Sequence, residues 1–169
     1  MIGKFIITYE GMPLQPKGIA RKRMNDILRG AWFLIGVHWH KKMRPKHFTH
    51  RGAREYGYQP RGGQAGSGRK FTGSYTARKL RLKGHTRPLE FSGESRKLTE
   101  VRDVRPTAKG VRIVMAANKF NFRRSVNAPH MREEMTMVSP NEEREIEKLL
   151  KRLVERGMSQ DRTRTTVRV

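Results

Sequence analysis

The chain has 169 residues, of which 38 are Lys or Arg against 15 Asp or Glu, a formal net charge of +23. Such a charge opposes compaction and self-association unless something anionic meets it, which points to nucleic acid, an acidic protein surface or anionic lipid. The length is that of one domain, and with no cysteine, disulfides, thiolate metal sites and cysteine nucleophiles are excluded.

In chain order, Met1 to Glu10 lacks the basic lead-in and the apolar length of a signal peptide. Its β-branched and aromatic run Phe5 to Tyr9, closed by Gly11 and Pro13, predicts a first strand. Met24, Ile27, Leu28, Ala31, Ile35 and Trp39 then fall on one helical stripe, predicting a helix over Ile19 to Arg44 that Pro45 ends. Gly30 and Gly36 weaken that helix by up to about 1 kcal/mol each, although small residues also admit a close neighbour. The richest apolar stretch, Ala31 to Trp39, is about half a membrane span in length and is flanked by Arg29 and Lys41, so it belongs in a core.

From Lys41 to Arg87 the character changes, with 14 Lys and Arg against the single acid Glu55 and few aliphatics. Gly62, Gly63, Gly66 and Gly68 mark the centre, Arg61 to Lys70, as a flexible loop, and the whole segment is expected to reach outward as an extended basic arm. Its rings at Phe48, Tyr56, Tyr58, Phe71 and Tyr75 suit either stacking on single-stranded nucleic acid or anchoring of the arm to the body. After Pro88, Leu98 to Val104 and Val111 to Ala116 read as an antiparallel pair joined through Pro106 to Gly110. Ser139, Pro140 and Glu142 then cap a helix whose stripe is Ile146, Leu149, Leu150, Leu153 and Val154 and which Gly157 is expected to stop. The fold class that follows is α+β: one domain over 1–157, a small antiparallel sheet with two main helices, the 41–87 arm projecting from it, and a basic, frayed tail over 158–169.

No catalytic constellation emerges. Gly63 and Gly68 precede Arg69, Lys70 and Phe71, not the Gly-Lys-Ser/Thr order of a phosphate loop. His47 and His50 have a spacing that could bind a metal, but surrounding cations repel a dication; His38 is expected in the helix face and the other histidines on the basic surface. Glu90 and Glu94 each have a nearby arginine, Arg87 and Arg96, and read as salt bridges. The reading is of a non-enzyme without cofactor, metal or membrane, binding a polyanion or acidic subunits independently of sequence. Its candidate contacts are Lys41, Lys42, Arg44, Lys46, Arg51, Arg54, Arg61, Arg69, Lys70, Arg78, Lys79, Arg81 and Lys83.

The passage Arg87-Pro88-Leu89-Glu90-Phe91-Ser92-Gly93-Glu94-Ser95-Arg96-Lys97-Leu98 resembles the proline-leucine, glycine, basic-leucine segment of the virion-morphogenesis and tail-completion proteins of tailed bacteriophages. An early helix, a basic Tyr-containing loop, later strands, an Asn127-Ala128-Pro129 turn and a Ser-Pro-capped terminal helix follow the same order. The resemblance implies a structural protein of the head-tail neck (tail completion or connector), assembled in the host cytoplasm and residing in the virion. It further implies a hexameric or dodecameric ring, acidic portal, connector or tail neighbours, genomic DNA in the lumen, and scaffold roles for Pro88, Leu89 and Gly93. A hexamer at +23 per chain would carry about 138 positive charges, whereas duplex DNA threading a ring about 40 Å tall supplies about 24 phosphates, so the neighbouring rings are expected to be acidic. The alternative is a sequence-independent RNA- or ribosome-associated protein.

Overall fold

The computed structural model describes residues 2–8, 21–59, 72–100, 102–116, 120 and 131–166. Three strands, β1 (Ile2–Thr8), β2 (Arg102–Pro106) and β3 (Gly110–Ala116), form an antiparallel sheet in the order β1-β3-β2. Central β3 pairs Ile113 with Phe5 on one side and with Val104 on the other. The reversal between β2 and β3 is closed by Thr107, whose N–H donates to the Gly110 carbonyl at 2.8 Å. Alternation places Val111, Ile113 and Met115 inward while Arg112 stays exposed.

Helix α1 (Arg21–His38) packs across the inward face of this sheet. Met24, Leu28, Ala31, Trp32 and Ile35 recur at helical spacing and are all buried, each large one stabilising the fold by roughly 1.5–3 kcal/mol. Gly36 makes the contact possible, because a Cβ there would lie 2.8 Å from Val104 Cγ1 and 2.9 Å from Val111 Cγ2. Helix α6 (Pro140–Thr166) runs antiparallel along α1: Ile27 meets Gly157 near one end, and His38 Nε2 meets Glu145 Oε1 at 2.8 Å near the other. The core continues from α1 through Trp39, Met43, Phe48 and Phe120 to Met131 and Met135 of the short helix α5 (Met131–Met135) and to Ile146 and Leu150 of α6.

The α+β class, the β2–β3 pair and both main helices stand as expected, and several details differ. The strand expected from Leu98 starts only at Arg102, after the short helix α4 (Glu94–Leu98). Gly157 does not stop α6. A Cβ there would lie 2.7 Å from Ile27 Cγ2, so this glycine serves helix packing, and the expected frayed tail is helical through Thr166. Pro45 does not end the helical path either. It sits in the first turn of a 3₁₀ segment, Arg44–Phe48, where its missing N–H costs nothing. Between that segment and α1 lies a π turn, Trp39–Met43, closed by the Arg44 N–H on the Trp39 carbonyl.

The extended arm is the largest correction. In its described parts Lys41 to Arg87 folds into those turns and into α2 (His50–Glu55) and α3 (Tyr75–Lys83). Composition misled because the aromatics between the cations are core residues: Phe48, Tyr56 and Tyr58 are buried, while Tyr75 is exposed. Arg61 to Phe71, with the four central glycines, and the Asn127-Ala128-Pro129 turn lie outside the described residues.

Candidate functional site

The segment after α1 buries a polar network. Thr49 caps α2, its hydroxyl accepting from Gly52 N at 3.0 Å, and the helix brings Tyr56 and Tyr58 inward beside His47. The His47 and Tyr56 rings stack with centroids 4.0 Å apart. Tyr58 O–H donates to the Glu134 carbonyl at 2.7 Å, so its oxygen is left to accept the Nδ1–H of His47. Tyr56 O–H donates to Glu142 Oε1 at 2.5 Å, and Lys46 Nζ lies 3.6 Å from the same oxygen. Glu142 also completes the capping box of α6: its N–H donates to Ser139 Oγ at 3.3 Å and its Oε2 accepts from Ser139 N at 3.4 Å. Ser139 Oγ in turn donates to Glu55 Oε1 at 2.8 Å.

Burial sets the protonation of these groups. Desolvation, then the charges of Lys46 and Arg44, pulls His47 down to about 3. Desolvation, then Arg44 and Arg102, pulls His40 down to about 4. Burial and the bond to Glu142 raise Tyr56 above the ordinary phenol range. Both imidazoles are therefore neutral near neutrality, and the expectation that His40 and His47 belong to the basic surface is corrected; His50 is exposed. His38 is half-buried and bound to Glu145.

The candidate cations divide into two sets. Arg44 is buried, donating to the Arg96 carbonyl at 3.1 Å and Thr99 Oγ1 at 2.8 Å, and desolvation lowers its pKa. Lys79 is buried as well, with Nζ donating to the Arg87 carbonyl. These two brace the fold, and Lys46 is partly engaged by Glu142. Their assignment as contact residues is corrected for Arg44 and Lys79. Lys41, Lys42, Arg51, Arg54, Arg78, Arg81 and Lys83 are exposed, and none has an ion pair with a carboxylate among the described residues. Arg61, Arg69 and Lys70 lie outside the described residues.

Sequence reasoning missed the outer face of the sheet. Arg105 on β2 is in register with Arg112 on β3, both are exposed, and among the described residues Asp103 pairs with Arg105, at 2.5 Å. The alternation of Val104 with Arg105 and of Arg112 with Ile113 carried that signal.

The passage from Arg87 to Leu98 forms a tight connection. Pro88, Leu89 and Glu90 are buried; Glu90 Oε1 lies 3.3 Å from Arg87 Nη1, as expected, and 3.9 Å from His85 Nε2. Leu89 holds φ +51°, which a branched side chain rarely adopts, and Gly93 holds φ +86° at the start of α4. No family model, curated protein or solved structure matches the chain. Among the described residues, no three His, Asp or Glu converge as metal ligands, and no helix is long and apolar enough to cross a membrane.

Proposed function

We propose that this protein is a non-enzymatic structural component of a tailed-phage virion, a ring-forming part of the head-tail neck. The observation that carries the binding half of this reading is the set of exposed cations held on folded elements. Lys41, Lys42, Arg51, Arg54, Arg78, Arg81 and Lys83 project from a π turn, α2 and α3, and no carboxylate among the described residues pairs with them. Cations held in place lose less freedom on contact than cations on a loose arm, which favours attachment to a fixed anionic surface. The buried polar side chains brace the fold, with His47 and Tyr56 at or below about a tenth exposure and bonded inward, where no substrate reaches them. The placement in a neck rests on the Arg87 to Leu98 resemblance, whose Pro88, Leu89 and Gly93 fall at a buried, conformationally demanding connection suited to a scaffold.

In this reading, copies pack into a hexamer or dodecamer, and acidic portal, connector or tail rings meet the basic surface, with part of it facing DNA in the lumen. The experiment is electron microscopy of the purified protein alone and of virions carrying an antibody label against it. Rings in the first sample and label at the neck in the second are expected; a monomer absent from virions overturns the reading.

One observation favours the RNA-binding alternative. Tyr75 is half-exposed, with Lys79 Nζ 5.9 Å from its ring centre and the Phe91 ring 5.9 Å away. Exposed Arg78 follows one helical turn on, so ring and cation stand together at the surface where an unstacked base can add to the stack. Co-purification with ribosomal RNA, removed by salt, would select that alternative over the neck.

A further inference from the structure

Helix α1 carries a second stripe, opposite its core face. Phe33 and Leu34 are 45% and 49% exposed, Val37 is half-buried, and a Cβ at Gly30 would meet nothing within 4 Å. These residues sit at i, i+3, i+4 and i+7, so they share one side of the helix over about 10 Å. The geometry makes Gly30 a notch beside two large apolar side chains, the shape into which a partner helix inserts a knob.

The rim of the stripe is basic. Arg29 and Lys41 are exposed at its two ends. On α6, Glu145 faces α1 through its contact with His38, and Arg152 and Arg156 follow it at seven and eleven residues, which returns them to the same side of that helix. Against these cations stands the exposed acid Asp26, since Glu145 is engaged by His38. An apolar centre inside a charged border is the anatomy of a protein interface.

We infer that the Gly30-Phe33-Leu34-Val37 face of α1 is the docking site for an amphipathic, acidic helix of another protein, with apolar residues for the stripe and carboxylates for its rim. Charge decides against a second copy of this chain. Among the described residues the other exposed large apolar side chains are Tyr75, Leu80 and Leu82 on α3, set among Arg78, Arg81 and Lys83, so copies docked through these faces would oppose cation to cation. Nucleic acid fits poorly as well, because Leu34 and Val37 give it neither hydrogen bond nor stacking surface. The stripe is separate from the cations of α2 and α3, so a protein that served elsewhere than in a virion would still carry it.

The test uses the full chain and three labelled synthetic helices read by fluorescence anisotropy in about 0.15 M salt. One has leucines at i, i+3, i+4 and i+7 flanked by glutamates, the second replaces the glutamates by lysines, and the third replaces the leucines by serines. The acidic leucine helix is expected to bind about tenfold or more tighter than either control, and Phe33→Ser with Leu34→Ser should remove that difference while the thermal midpoint holds. Gly30→Gln, whose Cβ enters open space, should weaken the same helix by filling the notch, and it keeps the test valid if the double variant unfolds. Equal binding of the serine helix, or unchanged binding by Gly30→Gln and the folded double variant, overturns the inference. So does self-association of the wild type in sedimentation that the double variant abolishes, which would assign the face to a second copy.

Discussion

Mild acid should unfold this protein, and the cause lies in two buried imidazoles. His40 and His47 are depressed to about 4 and about 3, whereas in the unfolded chain they return to the ordinary 6.5. Between those values the unfolded state binds more protons, so the stabilisation is present above about pH 6.5 and is lost as pH falls toward the folded values. From about pH 7 to about pH 5 each histidine then removes about 2 kcal/mol, or about 4 kcal/mol together, a large share of a marginal total stability. That figure depends mainly on the unfolded value, because both folded values lie below the window. The structural reason is plain at His47, whose Nδ1 is committed to Tyr58 and whose buried Nε2 has no hydrogen-bond partner among the described residues to receive a new proton. Urea unfolding followed by the fluorescence of buried Trp32 and Trp39 gives the assay, at pH values across the window and constant salt. His47→Gln should remove about half of the pH dependence whatever it does to the stability at neutrality. A urea midpoint unchanged between about pH 7 and about pH 5 would refute the assignment of two neutral buried histidines.

Two glycines of α1 should respond oppositely to alanine: Gly30→Ala enters open space and should stabilise by up to about 1 kcal/mol, whereas Gly36→Ala should cost about 1–3 kcal/mol by pressing on Val104 and Val111. Thermal or urea unfolding of both variants checks the difference in sign. Gly93→Ala should cost about 1–2 kcal/mol, since its φ of +86° strains any side chain although the nearest atom, Glu90 Oε1, is 3.7 Å away; the same unfolding assay measures it. Tyr56→Phe removes the donor that meets Glu142 at 2.5 Å and should cost about 1.5–3 kcal/mol, detected as a lowered urea midpoint. Replacing Arg78, Arg81 and Lys83 by serine should leave the thermal midpoint nearly unchanged and weaken attachment to the anionic partner, with a shallower salt dependence; unaltered attachment would move the gripping surface off α3.

The sequence made some elements readable and hid others for physical reasons. Helices α1 and α6 were legible because their apolar residues repeat over several turns and Ser139 with Glu142 marks a start. The end of α6 was not, because Gly157 has the composition of a stop signal and only the presence of Ile27 opposite it shows a packing role. Lys41 to Arg87 read as an arm because cations and glycines dominate its average, yet its described parts hang on a few residues, Phe48, Tyr56 and Tyr58, whose partners near Glu134 and Glu142 are remote in sequence. The same remoteness concealed the burial of Arg44, whose partners Arg96 and Thr99 lie 52 and 55 residues on, whereas Lys79 was missed because no local pattern distinguishes a lysine that braces a nearby loop carbonyl from one that faces water. Exposed Arg51, Arg54, Arg78 and Arg81 needed only charge to be noticed.

The bonds that tie the α2 region to Glu134 of α5 and to the start of α6 join residues 76 to 86 positions apart. At synthesis rates of about 5–20 residues per second, roughly 4 to 17 s separate the emergence of Tyr56 from that of Glu142. Through that interval the nascent chain presents two tyrosines and an uncompleted aromatic cluster to whatever surrounds the ribosome. Slowing translation downstream of α2 should therefore lengthen its exposure to chaperones and to aggregation, an effect that no change to the finished fold would reveal.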